Sequence, residues 1–410
     1  MAEVSVVIPT LNEEGCIGKC IEKVNRVFEE YGIEGEIIVS DSSTDRTPDI
    51  ARSMGAKVVY PDKMGYGYAY LYGFSFARGE YIVMGDADNT YDFLDIPKLL
   101  EPLNNGADLV LGSRLEGEIR DGAMPWLHKY IGNPLLTRIL NLFFKAGVSD
   151  AHSGFRAFRR DLLDKLQLTT TGMEFASEMI IEAARKDVKI SEVPIVYHPR
   201  IGEAKLSSFS DGWRHVKFMI LRAPKYLYYT PGFAIFIGGL ASLLLLSTGL
   251  LGIRLHSMIA ASLLTIIGYQ LIFLGMFSTT YGHSRGVIDK DKVTEWIGDR
   301  ISLERGATTG ALIFLMSAGY VVYSLYGYVS SGFTVLPLLQ QDIVAFTALV
   351  IGLQTVFFSF FLSMISEEGE RESATIPIVS REKEVVRVEG KQVAKQKYGL
   401  YEPYKAEESY

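Results

Sequence analysis

Cysteine is nearly missing from this chain: two in 410 residues, Cys16 and Cys20. No disulfide framework can be built from so few. Their i,i+4 spacing in an early helical pattern puts both on one helix face, which reads as reduced thiols in a core ahead of a bridge or a metal site. A basic excess is missing as well. The formal net charge is -7, which argues against nucleic acid as a partner. The start, Met1-Ala2-Glu3-Val4, lacks the basic opening and apolar run of a secretory signal, and strand-forming residues follow at once. Phosphate-binding glycine loops are also missing. Gly65-Tyr66-Gly67 is followed by glycine only at Gly73 and does not follow the first strand, and no Gly-Lys-Ser/Thr run occurs. A diphosphate bound by this chain would therefore depend on a metal ion and arginine.

Charge of either sign is missing from four long stretches. None lies between Pro231 and Ile253, Ser257 and Gly282, Gly306 and Gln341, or Ile343 and Ser366. About 20 apolar residues in a helix cross the hydrocarbon core of a bilayer. The runs predict four spans, near residues 233–253, 257–279, 309–329 and 343–365, and an integral membrane protein. Buried soluble helices are the alternative, and four in succession speak against them. Basic residues collect before the first span (Arg200, Lys205, Arg214, Lys217, Arg222, Lys225) and between the second and third (Arg285, Lys290, Lys292, Arg300, Arg305). The other two loops offer only Arg254. This asymmetry predicts that the N-terminal domain, the middle loop and the C-terminal tail share the cytoplasmic side. The expected domains are 1–209, a cytoplasmic α/β domain; 210–230, interfacial amphipathic helices; 231–366, a four-helix membrane domain through which copies could form a homo-oligomer; and 367–410, a polar tail.

Residues 4–112 alternate strand and helix signals. Strands are expected at 4–8, 36–39, 57–60, 81–84 and 108–111. Helices are expected from a cap at Asn12 to about Tyr31, after Thr47-Pro48, and at 69–77 and 96–104. Short apolar strands separated by helices predict an α/β domain with a mostly parallel sheet. Ligands of such sheets bind beyond the carboxyl ends of the strands. Those ends carry Pro9-Thr10-Leu11-Asn12-Glu13, Ser40-Asp41-Ser42, Asp86-Ala87-Asp88 and Gly112-Ser113-Arg114. In Gly85-Asp86-Ala87-Asp88, two carboxylates one residue apart end an apolar strand. They make a compact oxygen site for a hard divalent cation, which would neutralise a diphosphate. A solvated turn is the other reading.

Further along, Glu174, Glu178 and Glu182 share one face of a helix at 172–186, expected to be solvated. Ser210 to Ala223 interleaves Trp213, Phe218 and Met219 with Arg214, Lys217 and Arg222, which reads as an interfacial helix whose cations meet lipid headgroups. His152 and His215 read as structural. In the tail, Ile376–Val379 and Glu384–Val388 could form a small hairpin.

The opening Val6-Val7-Ile8-Pro9-Thr10-Leu11-Asn12-Glu13-Glu14, the motif Asp41-Ser42-Ser43-Thr44-Asp45-Arg46-Thr47, Gly85-Asp86-Ala87-Asp88 and Gly112-Ser113-Arg114 together resemble family-two glycosyltransferases with the GT-A fold. Asp150, Ser153-Gly154-Phe155-Arg156, Glu192-Val193-Pro194 and Arg200, Gly202, Lys205, Leu206 are similar to the polyprenyl-phosphate branch of that family. That branch includes dolichyl-phosphate mannose synthases and dolichyl- or undecaprenyl-phosphate glucosyltransferases. The resemblance implies that Pro9, Leu11, Glu13, Asp41 and Ala87 line the nucleotide. It implies that Asp86 and Asp88 hold Mg2+ or Mn2+ with the donor diphosphate, and that Arg114, Arg138, Ser153, Arg200 and Lys205 gather the acceptor phosphate. Asp88 and Arg114 would be the catalytic residues. The implied partners are a GDP- or UDP-hexose, a polyprenyl or dolichyl phosphate and the lipid bilayer, with no nucleic acid. Ser40, Tyr66 and Asn89-Thr90-Tyr91-Asp92 depart from the branch's usual residues, so mannose and glucose both stand.

The chemistry of the acceptor agrees with this. A lipid phosphate is an anion near neutral pH and needs no strong general base, only cations that place it. A processive polysaccharide synthase would carry Gln-x-x-Arg-Trp, which does not occur here. A non-catalytic membrane scaffold would not need the acid pair, and a transporter would be expected to carry ionisable residues within its spans.

Overall fold

Strand β1, Val4–Thr10, is a mostly β-branched run, interrupted by Ser5 and Pro9 and buried on both faces, the pattern of a central strand in a covered sheet. In the computed structural model, which describes residues 3–201, 208–249, 255–288, 303–334, 339–375, 385–388 and 391–394, seven strands form one sheet. Besides β1 they are β2 (Gly35–Asp41), β3 (Lys57–Val59), β4 (Tyr81–Met84), β5 (Leu109–Ile119), β6 (Arg156–Arg159) and β7 (Ile190–Tyr197). Their order is β3-β2-β1-β4-β6-β5-β7. β1, β2, β3 and β4 run parallel, and so do β5 and β7. β6 lies antiparallel between β4 and β5. The fold is therefore the mostly parallel α/β sheet expected, but the fifth strand does not sit beside the fourth. A strand four residues long, Arg-Ala-Phe-Arg, separates them. It carries too little periodicity to be read from sequence.

Helices cover both faces. On one face Val4, Val6 and Ile8 pack with Ile17, Ile21 and Val24 of α1 (Ile17–Tyr31) and with Leu99 and Leu103 of α4 (Ile96–Asn104). On the other, Val7 and Ile82 pack with α3 (Tyr66–Phe74) and α7 (Phe175–Arg185). α2 (Thr47–Ser53) and α6 (Leu162–Leu166) are short. Asn12 is not the cap of α1, which starts five residues later. Asn12 sits at a positive φ of 55° and its side-chain oxygen accepts from the Thr44 amide at 2.8 Å, so it braces the loop after β2. A helix through residues 126–144 combines a π turn, His128–Gly132, with α5, Asn133–Phe144.

α8, Ser208–Leu221, was expected to lie on the bilayer. Its Met219 is buried in the second core and Phe218 packs against it, while Trp213 and Leu221 are exposed. One face of this helix therefore belongs to the protein interior. The glutamates of α7 correct an expectation. Glu178 and Glu182 are buried rather than solvated. Arg222 donates to both at 3.2 Å, so it meets these carboxylates instead of headgroups. Glu178 also accepts from the amides and hydroxyls of Thr169 and Thr170.

Among the described residues, four helices are long and apolar enough to cross a membrane: Lys225–Ser247, Leu255–Ser284, Leu303–Ser330 and Leu339–Ile365. The first begins and ends earlier than the uncharged run suggested. The chain divides into two compact units, Met1–Gly275 and Met276–Tyr410. The first contains α9 (Thr230–Ser247) and most of α10 (Leu255–Ser284). In the second, α11 (Leu303–Ser330) and α12 (Leu339–Thr375) pack so closely that a Cβ on Gly310 would lie 2.8 Å from the Gly352 carbonyl oxygen. Small residues permit this kind of approach between membrane helices. α12 carries helix past its span, into the stretch expected to be aperiodic. A tail hairpin does form, but from β8 (Val385–Val388) and β9 (Lys391–Ala394); Ile376–Val379 lies outside the described residues.

Candidate active site

β4 is fully buried, and the chain leaves it at Gly85. Asp86 and Asp88 thus emerge at the carboxyl edge of the sheet, beside the ends of β1 and β2. The Asp86 Oδ1 accepts from the Tyr66 hydroxyl at 3.1 Å and the Tyr70 hydroxyl at 3.0 Å, both from α3. Burial, and next the Asp88 charge, push the Asp86 carboxyl up to about 6. Asp88 is 3% exposed. Its Oδ1 accepts from the Thr90 amide at 3.0 Å and the Thr90 hydroxyl at 2.5 Å. Its Oδ2 accepts from Arg200 Nε at 2.8 Å and lies 2.5 Å from Arg200 Nη2. The segment after β7 is held over the carboxylates by further bonds. The His198 and Ile201 amides donate to the Thr90 and Asp88 carbonyls, and the Cys16 thiol donates to the Ile201 carbonyl. The Cys20 thiol donates to the Ala87 carbonyl, and burial pushes it up to about 12. Both cysteines are thus reduced core thiols, as expected.

Gly154 brings the backbone of the segment before β6 against Asp86. A Cβ there would lie 2.9 Å from the Tyr66 hydroxyl and 3.0 Å from Asp86 Oδ2. The Gly154 amide donates to the Tyr91 hydroxyl at 2.7 Å, and Tyr91 stacks on Phe155 and meets Tyr197 edge-on. Nothing in the local pattern marked Tyr66, Tyr70 or Tyr91 as site residues. Tyr66 and Tyr70, one helical turn apart at i,i+4, were the available signal.

Of the predicted nucleotide residues, Leu11 is exposed, Pro9 and Glu13 are half-buried, and Ala87 and Asp41 are buried. Asp41 ends β2, and its Oδ1 accepts from the Thr10 hydroxyl at 2.7 Å. Its Oδ2 is sealed from solvent without a partner among the described residues. Such an orphan acceptor is rare in a folded chain.

Of the predicted phosphate residues, Arg200 pairs with Asp88. Arg114 is buried and makes a two-pronged ion pair with Asp150, Nε to Oδ2 at 2.7 Å and Nη2 to Oδ1 at 2.8 Å, while its amide also donates to Oδ2. Burial alone would raise the Asp150 carboxyl; the Arg114 charge and hydrogen bonds outweigh it and hold the group below its ordinary value of 3.8. The Arg114 guanidinium also lies over the Tyr197 ring, 5.3 Å from its centroid, and Nη1 is the terminal nitrogen that carries no bond to Asp150. Ser153 is buried, and its hydroxyl accepts from the Phe155 amide. Arg138 is exposed on α5. Lys205 lies outside the described residues. Around them, Glu192 accepts from Ser149 and the Asp150 amide. Arg156, wholly buried, donates to the carbonyls of Ser153, Ala176 and Ala151 at 2.8 to 3.0 Å. These bonds fix residues 149–156 and so hold Gly154 against Asp86. His152 and His215 both bond the Ser177 hydroxyl, tying α7 to α8. Burial, with His215 second, pulls His152 well below the ordinary 6.5, in keeping with a structural role.

The carboxylates suit a hard divalent cation. Two oxygen donors one residue apart, one pushed up to about 6 by burial and its neighbour's charge, are an electrostatic demand for positive charge that Arg200 meets by direct hydrogen bonding at Asp88 and in smaller part through its charge at Asp86. Mg2+ commonly takes one or two carboxylates and fills its other positions with phosphate oxygens and water. Among the described residues no group of three or more His, Cys, Asp or Glu side chains gathers to make a metal cage by itself.

Residues 5–167 match the family Glycosyl transferase family 2, and residues 276–366 match Glycosyltransferase family 2 C-terminal transmembrane region. The low-salt glycan biosynthesis hexosyltransferase Agl6 of Haloferax volcanii is 53% identical over 369 residues, 88% of this chain and 89% of that protein. A dolichyl-phosphate hexose transferase of Haloferax volcanii is 37% identical over 213 residues, 51% of this chain and 89% of that protein. A dolichol-phosphate mannosyltransferase of Pyrococcus furiosus is 30% identical over 213 residues, 50% of this chain and 59% of that protein. With the sheet, the acid pair at its carboxyl edge and the membrane helices all accounted for, the chain is a membrane-integral glycosyltransferase and belongs to glycosyltransferase family 2, in the polyprenyl-phosphate GT-A branch.

Proposed function

We propose that the protein moves one hexose from a nucleotide-sugar to a polyprenyl phosphate, inverting the anomeric centre. The observation that carries this reading is the Asp86–Asp88–Arg200 cluster: two carboxylates and a guanidinium at the carboxyl edge of the sheet, in a chain anchored in the bilayer. The names of the relatives support a lipid-phosphate acceptor. Mannose and glucose, on GDP or UDP, are the donors to test.

In this reading Pro9, Leu11, Glu13, Asp41 and Ala87 line the nucleotide, and the orphan Asp41 Oδ2 takes a hydroxyl or amine donor from it. Asp86 and Asp88 hold a divalent cation, Mg2+ or Mn2+, which when bound offsets the charge on the departing diphosphate. Tyr66 and Tyr70 pin Oδ1 of Asp86, which directs Oδ2 into the site. Arg114, Arg138, Ser153, Arg200 and Lys205 orient the acceptor phosphate. That phosphate is already anionic, so its oxygen attacks the anomeric carbon without surrendering a proton. A single displacement turns an α-linked donor into a β-linked product. Positioning and fixed charge supply most of the rate. The catalytic domain spans residues 1–209 and faces the cytoplasm with the tail, an orientation supported by the basic residues flanking the spans.

Membranes containing the protein, given radiolabelled sugar nucleotides and polyprenyl phosphate, should place label in a single-sugar lipid. Chelation by EDTA should abolish the signal and added Mn2+ or Mg2+ restore it. Label in polymer would instead reveal a polysaccharide synthase, and no label with any donor a scaffold. A second expectation concerns Gly154. Gly154→Ala puts a methyl 3.0 Å from Asp86 Oδ2 and forces the carboxylate or the loop aside. Transfer should fall on the order of 100-fold, while far-ultraviolet circular dichroism stays unchanged.

A further inference from the structure

A carboxylate buried as deeply as Glu178, 1% exposed, is costly unless its acceptor positions are filled and a cation balances it. Both conditions are met. Oε2 accepts from the Thr169 amide at 3.1 Å, the Thr170 amide at 2.9 Å and the Thr170 hydroxyl at 2.6 Å. Oε1 accepts from the Thr169 hydroxyl at 3.0 Å and from Arg222 at 3.2 Å. An ionised carboxylate only accepts, so it suits such a convergence of donors. Most of them belong to two adjacent residues of the segment between α6 and α7. Two successive amides held on one oxygen fix the course of this strap. Arg222, just ahead of the first candidate span Lys225–Ser247, supplies the balancing charge.

The strap runs against the start of α3. The Tyr68 amide donates to the Thr171 carbonyl at 3.1 Å. A Cβ on Gly65 would lie 2.4 Å from that same oxygen, and one on Gly67 would lie 2.4 Å from the Thr170 carbonyl oxygen. Glycine on both sides of Tyr66 therefore lets two backbones meet where a side chain would part them. Tyr66, held between these contacts, donates to Asp86 Oδ1 at 3.1 Å. Later in the same helix Tyr70 and Phe74 are buried in the second core, and Tyr70 stacks on Phe175 of α7 at 5.8 Å. The body of α3 is thus seated without the strap, and the strap governs its first turn. An unbroken series of contacts joins Glu178 to Asp86, through Thr169 to Thr171, the two glycines and Tyr66.

We propose that Glu178 is a positioning residue of the active site. It holds residues 169–171 against the first turn of α3, with Arg222 as its counter-ion, and so sets the Tyr66 hydroxyl on Asp86. The expected effect on rate rests on Asp86 serving the donor, as proposed above; the effect on Tyr66 does not.

The test uses the full-length chain in nanodiscs, with a single 3-fluorotyrosine at position 66 as a reporter. Asp86→Asn gives the fluorine resonance of this hydroxyl without its charged acceptor. Glu178→Ala should move the resonance toward that position or split it. Glu178→Gln, which keeps an oxygen for both strap amides, should leave it in place. Thr169→Ala with Thr170→Ala removes both strap hydroxyls and leaves the pair with Arg222 intact; it should move the resonance in the same direction, and it serves if Glu178→Ala does not fold. Transfer should fall on the order of 10-fold in Glu178→Ala and in Tyr66→Phe. The double variant should be no slower than Tyr66→Phe, because a residue acting through Tyr66 then has nothing left to act on. An unmoved resonance in the folded strap variants overturns the proposal, and so do losses that multiply in the double variant. A displaced resonance with wild-type transfer would uphold the hold on Tyr66 and count against the role given to Asp86.

Discussion

Replacing Asp88 with asparagine is expected to lower sugar transfer on the order of 1,000-fold or more. The side chain keeps its size, and its remaining oxygen can still accept from Thr90, which supplies two of the bonds that hold it. What disappears is the negative charge. Arg200 then faces a neutral amide across what was a 2.8 Å charged hydrogen bond, and a divalent cation keeps only Asp86 as an anionic ligand. The first loss disturbs the residue that orients the acceptor phosphate and the second falls on the charge that develops as the diphosphate departs, so both should appear in kcat more than in donor KM. The measurement is initial-rate transfer of radiolabelled sugar to polyprenyl phosphate in nanodiscs, with a thermal melt of the same preparation to show an intact fold. Wild-type turnover in a folded Asp88→Asn variant would remove the cation and Arg200 from the mechanism together.

The largest expected effect on stability belongs to Asp150. Arg114 is buried, and three bonds join it to this one carboxylate. Asp150→Ala leaves a guanidinium charge in the interior without a counter-ion. Breaking a buried pair from one side costs about 3–5 kcal/mol, a large part of the roughly 5–15 kcal/mol that holds a domain folded. The melting temperature of the sheet domain should fall by roughly 10 °C. The double substitution Arg114→Met with Asp150→Leu should recover much of that loss while remaining inactive, because it removes both charges and leaves apolar groups to pack. Acid offers a second readout. The Asp150 carboxyl sits below its ordinary 3.8 in the folded protein. Its pairing therefore contributes in full above that pH and is lost as pH falls through the lowered folded value. A double variant no more stable than Asp150→Ala would show that the ion pair has no special part in the fold.

Much of the architecture was legible because it is written locally. Apolar runs without charge marked four helices of membrane length, and their ends moved by only a few residues except at the first, where Lys225 and the tyrosines after it extend the helix upstream. Strands β1, β2 and β4 followed from short β-branched runs, and the acid pair was placed at a strand end by position alone. The misreadings share one character. Glu178 and Glu182 recur on a helix face as solvated acids do, and only Arg222, forty or more positions away, shows that the face is covered. Asn12 has the composition of a cap, but its partner is Thr44 across the loop after β2. β6 is four residues long and gains its place from two neighbours, not from its own pattern.

By itself, then, the sequence determined the class of the molecule: an α/β sheet domain joined to membrane helices, with carboxylates at the sheet's carboxyl edge. Strand and helix periodicity and hydropathy depend on residues a few positions apart, so they survive without a fold. The tertiary structure decided which charges meet. Asp88 finds Arg200 from 112 positions away, Arg114 finds Asp150 from 36, and Asp86 is gripped by two tyrosines of a preceding helix. Coulomb attraction between side chains acts over a few ångströms inside a protein, and no local pattern records which distant segments the sheet will bring that close.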